Sequence, residues 1–368
     1  MTDPLLAVEG LETTVPADGE TVRAVDGVDF TVERGETVCL VGESGSGKTL
    51  TCQSLTGLVR PPVEVTGGSV RFDGVELAGA GGATLRRVRG DRVAHVFQNP
   101  QRALDPVYTV GDQVAEALTV HRDVGEAAAR ERAVELLDRV GIPRADVRVD
   151  DYPNEFSGGM RQRVAIAVAL AADPDLIVAD EPTTAVDVTV QARLLELLGE
   201  LTADGTALLL VTHDLRVVAA LADRVLAMYG GTIVERGPVG SVFERPAHPY
   251  TQALFDSFRT GGSPAGNPGT PADARETRTR EDLPTDGCRF REECPHAVEA
   301  CAGGDQPAFY TVADGAGSSS PSTTRPSDPP ADPGRDGHAA SCVYYGPDRD
   351  PARILADSAS LSGGGDGD

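Results

Sequence analysis

The eight residues GESGSGKT, from Gly42 to Thr49, constrain the fold of this chain more than any other stretch. They fit the pattern G-x-x-x-x-G-K-[ST] and stand between a short apolar run, ETVCLVG, and a helical pattern, GKTLTCQSLTGLV. Glycines let the backbone turn tightly and aim its N–H groups at an anion, and the following helix adds the positive end of its dipole. This strand–loop–helix context predicts a phosphate-binding loop and disfavours an incidental Gly-rich turn.

Lys48 is the only lysine in the chain, and every other basic residue except histidine is arginine. In a loop of this type the lysine reaches the β- and γ-phosphates of a nucleotide, and the hydroxyl of Thr49 meets Mg²⁺. A compact ammonium fits among glycine backbones, whereas the planar guanidinium of arginine would crowd them. The predicted nucleotide-binding stretch is Gly42, Glu43, Ser44, Gly45, Ser46, Gly47, Lys48, Thr49 and Leu50.

A second apolar run, LIVADEP, ends in two acidic residues, Asp180 and Glu181. In nucleotide-hydrolysing proteins with a phosphate loop, an aspartate at such a strand end holds the water shell of Mg²⁺. Glu181, one residue further on, is placed to polarise an attacking water molecule. An acidic strand end alone is more often structural, but beside a phosphate loop the catalytic interpretation is favoured.

Apolar runs alternate with helical patterns from the start of the chain to about residue 258. ETVCLVG, PDLIVADEP and TALLLVTHD lack polar–apolar alternation, as expected for strands buried on both faces of a parallel sheet. Segments between them, such as RQRVAIAVALAA and VQARLLELLGELT, show helical periodicity. The pattern predicts an α/β fold with a mixed or parallel sheet core.

Composition then divides the chain into parts, because Gly, Pro, Ser and Thr become abundant after the globular region. We predict a globular domain over 1–258, a flexible linker over 259–287, a cysteine-containing extension over 288–346 with a disordered insert at about 313–337, and an acidic, Gly-rich tail over 347–368.

The segment FSGGMRQRVAIAVALAADPDLIVADEPT resembles the signature segment and acidic strand of ABC-type ATPases, whose pattern is Leu-Ser-Gly-Gly-Gln. Phe156 and Met160 replace the first and last residues, and Met160 lacks the amide that glutamine would offer. The resemblance implies a helical signature subdomain at about 99–172 and a head-to-tail dimer that sandwiches ATP. The signature residues that would act on the opposing subunit's ATP are Ser157, Gly158, Gly159 and Met160.

Further positions match the same family in order along the chain. Gln98 resembles the Q-loop glutamine that meets Mg²⁺, Asp187 resembles the D-loop aspartate, and His213 resembles the switch histidine that contacts the γ-phosphate. The resemblance thus implies ATP hydrolysis with Glu181, His213 and Lys48 as catalytic residues, and Mg²⁺ held through Thr49, Gln98 and Asp180. The family often stacks adenine on an aromatic residue before the loop; none stands here, which leaves an apolar contact, for instance through Val22.

Two other stretches, FQNPQRALDPVYTVGDQVAEAL and GGTIVERGPVGSVFERPAHPYTQAL, are similar to the ATPases of oligopeptide/dipeptide importers, a group that includes nickel importers. The similarity implies a peripheral protein on the cytoplasmic face of the membrane. Its partners would be two membrane permease subunits, a second ABC ATPase in a heterodimer or homodimer, and, indirectly, an external solute-binding protein. An importer ATPase for nickel or another small solute, a soluble non-transport ABC ATPase and an inactive scaffold remain alternatives.

The net charge of −24 argues against sequence-independent nucleic-acid binding, which needs basic surface to neutralise phosphates. Acidic residues are spread along the chain, which suits a protein kept soluble at high salt from a halophilic source; an acidic cytosolic protein without such adaptation is the alternative. No apolar run approaches the roughly 18 residues of a membrane span, and the start MTDPLLAVEG has no signal-peptide pattern. These features predict a cytosolic chain that does not bind nucleic acid.

Six cysteines fall into two groups. Cys39 and Cys52 stand in an apolar strand and in a helix, where we expect small buried hydrophobic residues. Cysteine-rich C-terminal segments also occur in peptide-importer ATPases, and this resemblance implies a [4Fe–4S] cluster with four thiolate ligands. Zinc and a set of reduced thiols remain open, because the C-x₅-C-x₆-C spacing selects no metal. The candidate ligands are Cys288, Cys294, Cys301 and Cys342.

Overall fold

Two β-sheets and the helices around them form the framework of the part of the chain that the computed structural model describes. The described residues are 3–17, 20–98, 103–183, 188–260, 283–312, 337–347 and 349–359. Both sheets draw strands from distant parts of the sequence, so the fold is built largely by long-range pairing.

The first sheet is antiparallel, with the strand order β2-β1-β4-β5. Its strands are β1 (Leu6–Ala17), β2 (Glu20–Val32), β4 (Glu64–Phe72) and β5 (Val75–Glu76). Register shifts interrupt the pairing of β1 with β4 between Glu9 and Thr13. At this irregularity Gly68 has a φ of 86°, and a Cβ there would lie 2.4 Å from the Gly10 carbonyl oxygen, so the site needs glycine.

The second sheet is mixed, with the strand order β11-β12-β10-β9-β3-β8-β7-β6. Its strands are β3 (Thr37–Val41), β6 (Val93–Val96), β7 (Leu176–Asp180), β8 (Ala207–Val211), β9 (Arg224–Tyr229), β10 (Thr232–Pro238), β11 (Tyr310–Thr311) and β12 (Ala339–Ala340). Strands β9, β3, β8, β7 and β6 pair in parallel, and the other three pair antiparallel at one side. Every residue of β3, β7 and β8 is buried, which confirms the prediction that the three apolar runs form strands covered on both faces.

The helices follow the predicted alternation with the strands. They are α1 (Lys48–Leu55), α2 (Gly82–Val88), α3 (Val110–Thr119), α4 (Glu126–Arg139), α5 (Ala145–Arg148), α6 (Gly158–Leu170), α7 (Val188–Ala203), α8 (Leu215–Leu221), α9 (Val239–Glu244), α10 (Pro249–Thr260) and α11 (Ala352–Ala359). In the described residues between β6 and β7, α3 packs on α4 and α6. None of the helices in the described ranges combines the length and apolar character needed to cross a bilayer.

Two hydrophobic cores lie on opposite faces of the second sheet. Alternate residues of the parallel strands, such as Leu208 and Leu210, face a core shared with α3, α4, α6 and α7. Their neighbours, such as Leu209 and Val211, face a core shared with the first sheet and α1. Cys39 lies in the former and Cys52 in the latter, and both are buried, as expected for small apolar side chains.

The C-terminal part of the chain extends the second sheet, which the sequence did not lead us to expect. Strand β12 pairs with β10, where Ala340 lies opposite Glu235. The Glu235 side chain is fully buried and accepts hydrogen bonds from the backbone N–H groups of Ala247 (2.8 Å) and His248 (2.7 Å). Its Oε1 also lies 2.7 Å from His338 Nε2. One carboxylate therefore ties β10, the start of α10 and the C-terminal segment together.

Helix α11 lies within residues 347–368, which the composition suggested to be an acidic, Gly-rich tail. Its Ile354 is fully buried against Cys342 and Tyr344. Most of the predicted linker and insert falls on residues 261–282 and 313–336, and the last residues of the tail on 360–368; these segments lie outside the described residues.

We expect Glu235→Ala to lower the free energy of unfolding by about 3–5 kcal/mol, because it leaves two buried N–H groups and a buried histidine without their acceptor. Urea denaturation followed by circular dichroism measures the change. Glu244→Ala, at an exposed position of α9, is the control and should stay within about 0.5 kcal/mol of the parent chain. Equal stability of the two variants would contradict the role of Glu235.

Candidate functional site

The predicted phosphate loop connects β3 to α1 and is held against the end of β9. A Cβ on Gly42 would lie 2.2 Å from the Met228 carbonyl oxygen, so only glycine allows this close approach. After β9 the chain turns, and the N–H of Gly231 donates to the Ser46 carbonyl at 2.9 Å. Gly47, with a φ of 110°, is the N-cap residue of α1. The loop is therefore fixed by backbone contacts on both sides.

The ammonium of Lys48 lies inside this loop. Its Nζ donates to the carbonyl oxygens of Gly42 (2.9 Å) and Glu43 (2.6 Å) and to the Ser46 hydroxyl (3.3 Å). Burial lowers the pKa of Lys48, and the nearby carboxylates of Glu181, Asp180 and Glu43 raise it. The loop's own oxygens hold the ammonium, and an anionic oxygen entering the loop would compete with them.

Asp180, at the end of β7, offers an oxygen suited to a hard cation. The residue is buried, which raises its pKa, while a hydrogen bond from the Thr49 hydroxyl lowers it. Within the described residues its Oδ1 has no hydrogen-bond partner. A buried carboxylate oxygen without a donor costs free energy, and carboxylate, hydroxyl and water oxygens are the ligands that Mg²⁺ prefers. The donor set of Asp180 and Thr49 thus fits Mg²⁺.

Gln98, Glu181 and His213 follow three neighbouring parallel strands and meet at their carboxyl ends. Gln98 Nε2 donates to Glu181 Oε2 at 2.8 Å, and His213 Nδ1 lies 3.2 Å from Glu181 Oε1. The backbone of Glu181 is left-handed, with a φ of 49°, and its N–H donates to the Val211 carbonyl at 2.9 Å. Both carboxylate oxygens of Glu181 are thereby oriented by side chains from the adjacent strand ends.

The signature residues lie at the start of α6. The Ser157 hydroxyl caps the helix by accepting from the Met160 N–H at 3.3 Å, and Ser157 itself is exposed. Gly158 and Gly159 follow, so the helix presents its first N–H groups beside small residues. The Met160 sulfur accepts from Arg148 Nη1 at 3.5 Å. Asp187, the predicted D-loop residue, lies outside the described residues.

Two residues near the phosphate loop, Tyr250 and Glu293, had no role in the sequence analysis. The N–H of Glu43 donates to the hydroxyl of Tyr250 at 2.9 Å, and burial followed by the charge of Glu293 raises the pKa of the Glu43 carboxyl. Tyr250 lies in the stretch GGTIVERGPVGSVFERPAHPYTQAL, whose similarity to the importer ATPases was the signal that could have pointed to it. Val22, proposed to meet adenine, is half-buried on β2 opposite Val15.

The four C-terminal cysteines are free thiols that influence one another. The sulfurs of Cys288, Cys294 and Cys342 accept hydrogen bonds from the N–H groups two residues further on, and the N–H of Cys288 donates to the Cys301 carbonyl at 2.9 Å. The pKa of Cys288 and Cys294 is raised to about 11 and that of Cys342 to about 12, mainly by burial and to a smaller extent by the other cysteines, while the backbone N–H groups act to lower it. Across the described ranges, no three His, Cys, Asp or Glu side chains are arranged to hold a single metal ion.

Family models match two parts of this chain. A model described as "ABC transporter" matches residues 25–184, and one described as "Oligopeptide/dipeptide transporter, C-terminal region" matches residues 234–301. The first range includes the phosphate loop and Glu181, and the second includes Tyr250 and three of the C-terminal cysteines. Both matches agree with the resemblance inferred from the motifs.

The alignment with this chain covers most of the length of each of the following relatives. A Brucella abortus (strain 2308) protein named as a peptide import ATP-binding protein is 46% identical over 319 residues, covering 81% of this chain and 91% of the relative. The oligopeptide transport ATP-binding protein AppD of Bacillus subtilis (strain 168) is 44% identical over 299 residues, covering 81% and 90%. A solved dimeric ATP-binding cassette, in a post-hydrolysis state with ADP and Pi, is 29% identical with a TM-score of 0.59, covering 64% of this chain and 98% of its own. This likeness confirms the predicted α/β fold class.

Lys48→Arg is expected to reduce ATP hydrolysis about 10²-fold or more, because the planar guanidinium cannot occupy the space between Gly42 O, Glu43 O and Ser46 Oγ. Steady-state phosphate release by the purified chain measures the effect. Arg34→Lys exchanges the same two side chains in the opposite direction at an exposed ion pair and should leave turnover unchanged. Parent-like turnover of Lys48→Arg would show that the loop does not discriminate between the two cations.

Proposed function

Because the chain belongs to the ABC transporter family of ATP-binding proteins, we propose that it hydrolyses ATP to drive the import of di- and oligopeptides. The observation that carries the peptide assignment is the match of residues 234–301 to the oligopeptide/dipeptide transporter C-terminal region. The relatives named as peptide import and oligopeptide transport ATP-binding proteins support the same assignment over both parts of the chain.

In the proposed mechanism Lys48 binds the β- and γ-phosphates. Its Nζ is already held by loop oxygens at 2.6–3.3 Å, so phosphate oxygens would replace contacts of similar length. Thr49 and Asp180 would hold Mg²⁺ together with the amide oxygen of Gln98, and the ion would supply neutralisation of phosphate charge. Asp180 Oδ1, which has no hydrogen-bond partner among the described residues, supports this ligand set.

Glu181 is proposed to orient and polarise the attacking water. A carboxylate can do this only when its oxygens are fixed, and the Gln98 amide and the His213 ring hold one oxygen each. His213 is itself exposed, with 68% of its side chain accessible, so its ring can also turn toward a γ-phosphate. Gln98 and His213 would thus contact both Glu181 and the bound nucleotide.

A second ATPase subunit completes the proposed site. The exposed Ser157 cap and the glycines after it would bind the γ-phosphate held by the opposing subunit, with Asp187 at the same interface. The dimeric ATP-binding cassette among the solved structures supports a two-subunit arrangement. We propose a heterodimer with a related ATPase, with a homodimer as the other form.

An exposed apolar surface is proposed to receive the two permease subunits. Val107 and Tyr108 are 72% and 56% exposed, and Tyr152 is 45% exposed. Backbone hydrogen bonds from residues 110 and 111 to residues 151 and 149 hold these segments side by side. Phe97 is 40% exposed and precedes Gln98 in the chain, so a partner that also covered Phe97 would lie beside the nucleotide site. We therefore propose that the chain lies at the cytoplasmic face of the membrane, and that an external solute-binding protein delivers peptide to the permeases from the other side.

The C-terminal cysteines are proposed to hold a [4Fe–4S] cluster, with zinc as the other candidate. The backbone N–H groups directed at three of the sulfurs favour thiolates, and their burial protects a metal group from water. We also propose that the net charge of −24 adapts the chain to high salt.

In the assembled complex, Glu181→Gln should lower ATP turnover on the order of 10²–10⁴-fold while ATP binding persists, because the amide cannot polarise water. Peptide-stimulated phosphate release and peptide uptake into proteoliposomes are the measurements. Glu196→Gln, at an exposed position of α7, is the matched control.

Near-normal turnover of Glu181→Gln would contradict its catalytic role. ATP hydrolysis by the parent complex that responds to nickel, or to no solute, would instead contradict the peptide assignment while leaving the ATPase activity intact.

The chain purified without oxygen should contain about four iron atoms and four sulfides if a cluster is present, or about one zinc ion in the alternative. Cys301→Ser should lower the metal content, and Cys39→Ala, a core thiol of β3, should not. Elemental analysis and visible absorption distinguish the two metals. A chain with neither metal would show that the four thiols are simply reduced.

A further inference from the structure

One peptide group of the phosphate loop is held at both of its ends. The carbonyl oxygen of Gly42 accepts from Lys48 Nζ at 2.9 Å, and the N–H of Glu43, across the same peptide bond, donates to the Tyr250 hydroxyl at 2.9 Å. Because the peptide bond is planar, rotating one end rotates the other. The direction of the carbonyl that holds the ammonium therefore depends on the hydroxyl that holds the N–H.

Tyr250 is well placed to act as a fixed acceptor. It is fully buried in the first turn of α10, and its own N–H donates to His248 Nδ1 at 3.0 Å. Its ring packs on Tyr229, with centroids 4.7 Å apart, and on Phe290, with centroids 5.6 Å apart. Phe290 and Tyr229 also meet edge to face at 5.2 Å. We call these three rings the aromatic cluster.

The aromatic cluster brings three distant parts of the chain together beside the phosphate loop. Tyr229 ends β9, directly before the turn whose Gly231 N–H donates to the Ser46 carbonyl. Phe290 lies between Cys288 and Cys294, and the Tyr229 hydroxyl donates to Glu293 at 2.6 Å. If position 250 only had to pack against the other two rings, phenylalanine would serve equally well. A hydroxyl buried there is favourable only with a partner, and its partner is the loop.

We propose that Tyr250 is a positioning residue for the phosphate loop. Its hydroxyl fixes the Gly42–Glu43 peptide, and through it the ammonium of Lys48, in the orientation that receives the phosphates of ATP. The aromatic cluster fixes Tyr250 in turn, so the cysteine-containing segment supports the nucleotide site from behind. The inference rests on the proposed function in one respect, namely that Gly42–Thr49 binds ATP.

Tyr250→Phe removes the hydroxyl and keeps the ring in the aromatic cluster. We expect the dissociation constants of the full-length chain for ATP and ADP to rise about tenfold, equivalent to about 1.4 kcal/mol, since the peptide loses one anchor. Titration calorimetry measures the affinities, and thermal unfolding measures stability. Tyr344→Phe is the matched control, because it removes another buried hydroxyl bonded to backbone, at the His296 carbonyl 2.9 Å away. The two variants should lose similar stability, and only Tyr250→Phe should lose nucleotide affinity.

Parent-like affinity of Tyr250→Phe for both nucleotides would overturn the inference and leave the proposed function standing. An equal loss of affinity in Tyr344→Phe would also overturn it, because the effect would then follow general destabilisation. A parent chain that binds no ATP would overturn the proposed function and this inference together.

Discussion

Burial of the parallel strands on both faces is the constraint on which the site depends. The apolar side chains of β3, β7 and β8 all belong to one of two cores, so none of them meets solvent along the strands. Polar groups can emerge only where the strands end. The phosphate loop, Gln98, Asp180, Glu181 and His213 all occur at such ends, and the parallel direction brings these ends to one edge of the sheet.

Among the described residues, the negative charge at this edge of the sheet is balanced only in part. Lys48 is surrounded by the carboxylates of Glu43, Asp180 and Glu181, and all three influence its pKa. One ammonium facing three carboxylates leaves an excess of negative charge in a largely buried setting, where a tetraanionic nucleotide would be repelled. A nucleotide that arrived with a divalent cation would avoid this repulsion, because Asp180 would attract the cation while, as proposed, Lys48 met the phosphates.

The fold class and the individual site motifs could be predicted because their signals are local. The strand before Gly42, the loop and α1 are contiguous, and the apolar runs of β7 and β8 end directly at Glu181 and shortly before His213. The contacts of Gln98 and His213 with Glu181 could not be predicted from the sequence, since the side-chain geometry depends on how three strands pack together. Tyr250 was missed for a stronger reason: it lies 207 residues from Glu43 along the chain, and no periodicity or spacing encodes such a contact. The addition of β12 to β10 is equally non-local, and its two-residue strand has no pattern of its own.

The pairing of β12 with β10 also has a consequence for the order of events during synthesis on the ribosome. His338 follows Glu235 by 103 residues, so β10 leaves the ribosome long before its outer neighbour exists. In that interval β10 is the open edge of the sheet, with unpaired backbone groups that invite pairing with another nascent chain. Mutual repulsion between strongly acidic chains would limit such encounters until the last strands close the edge.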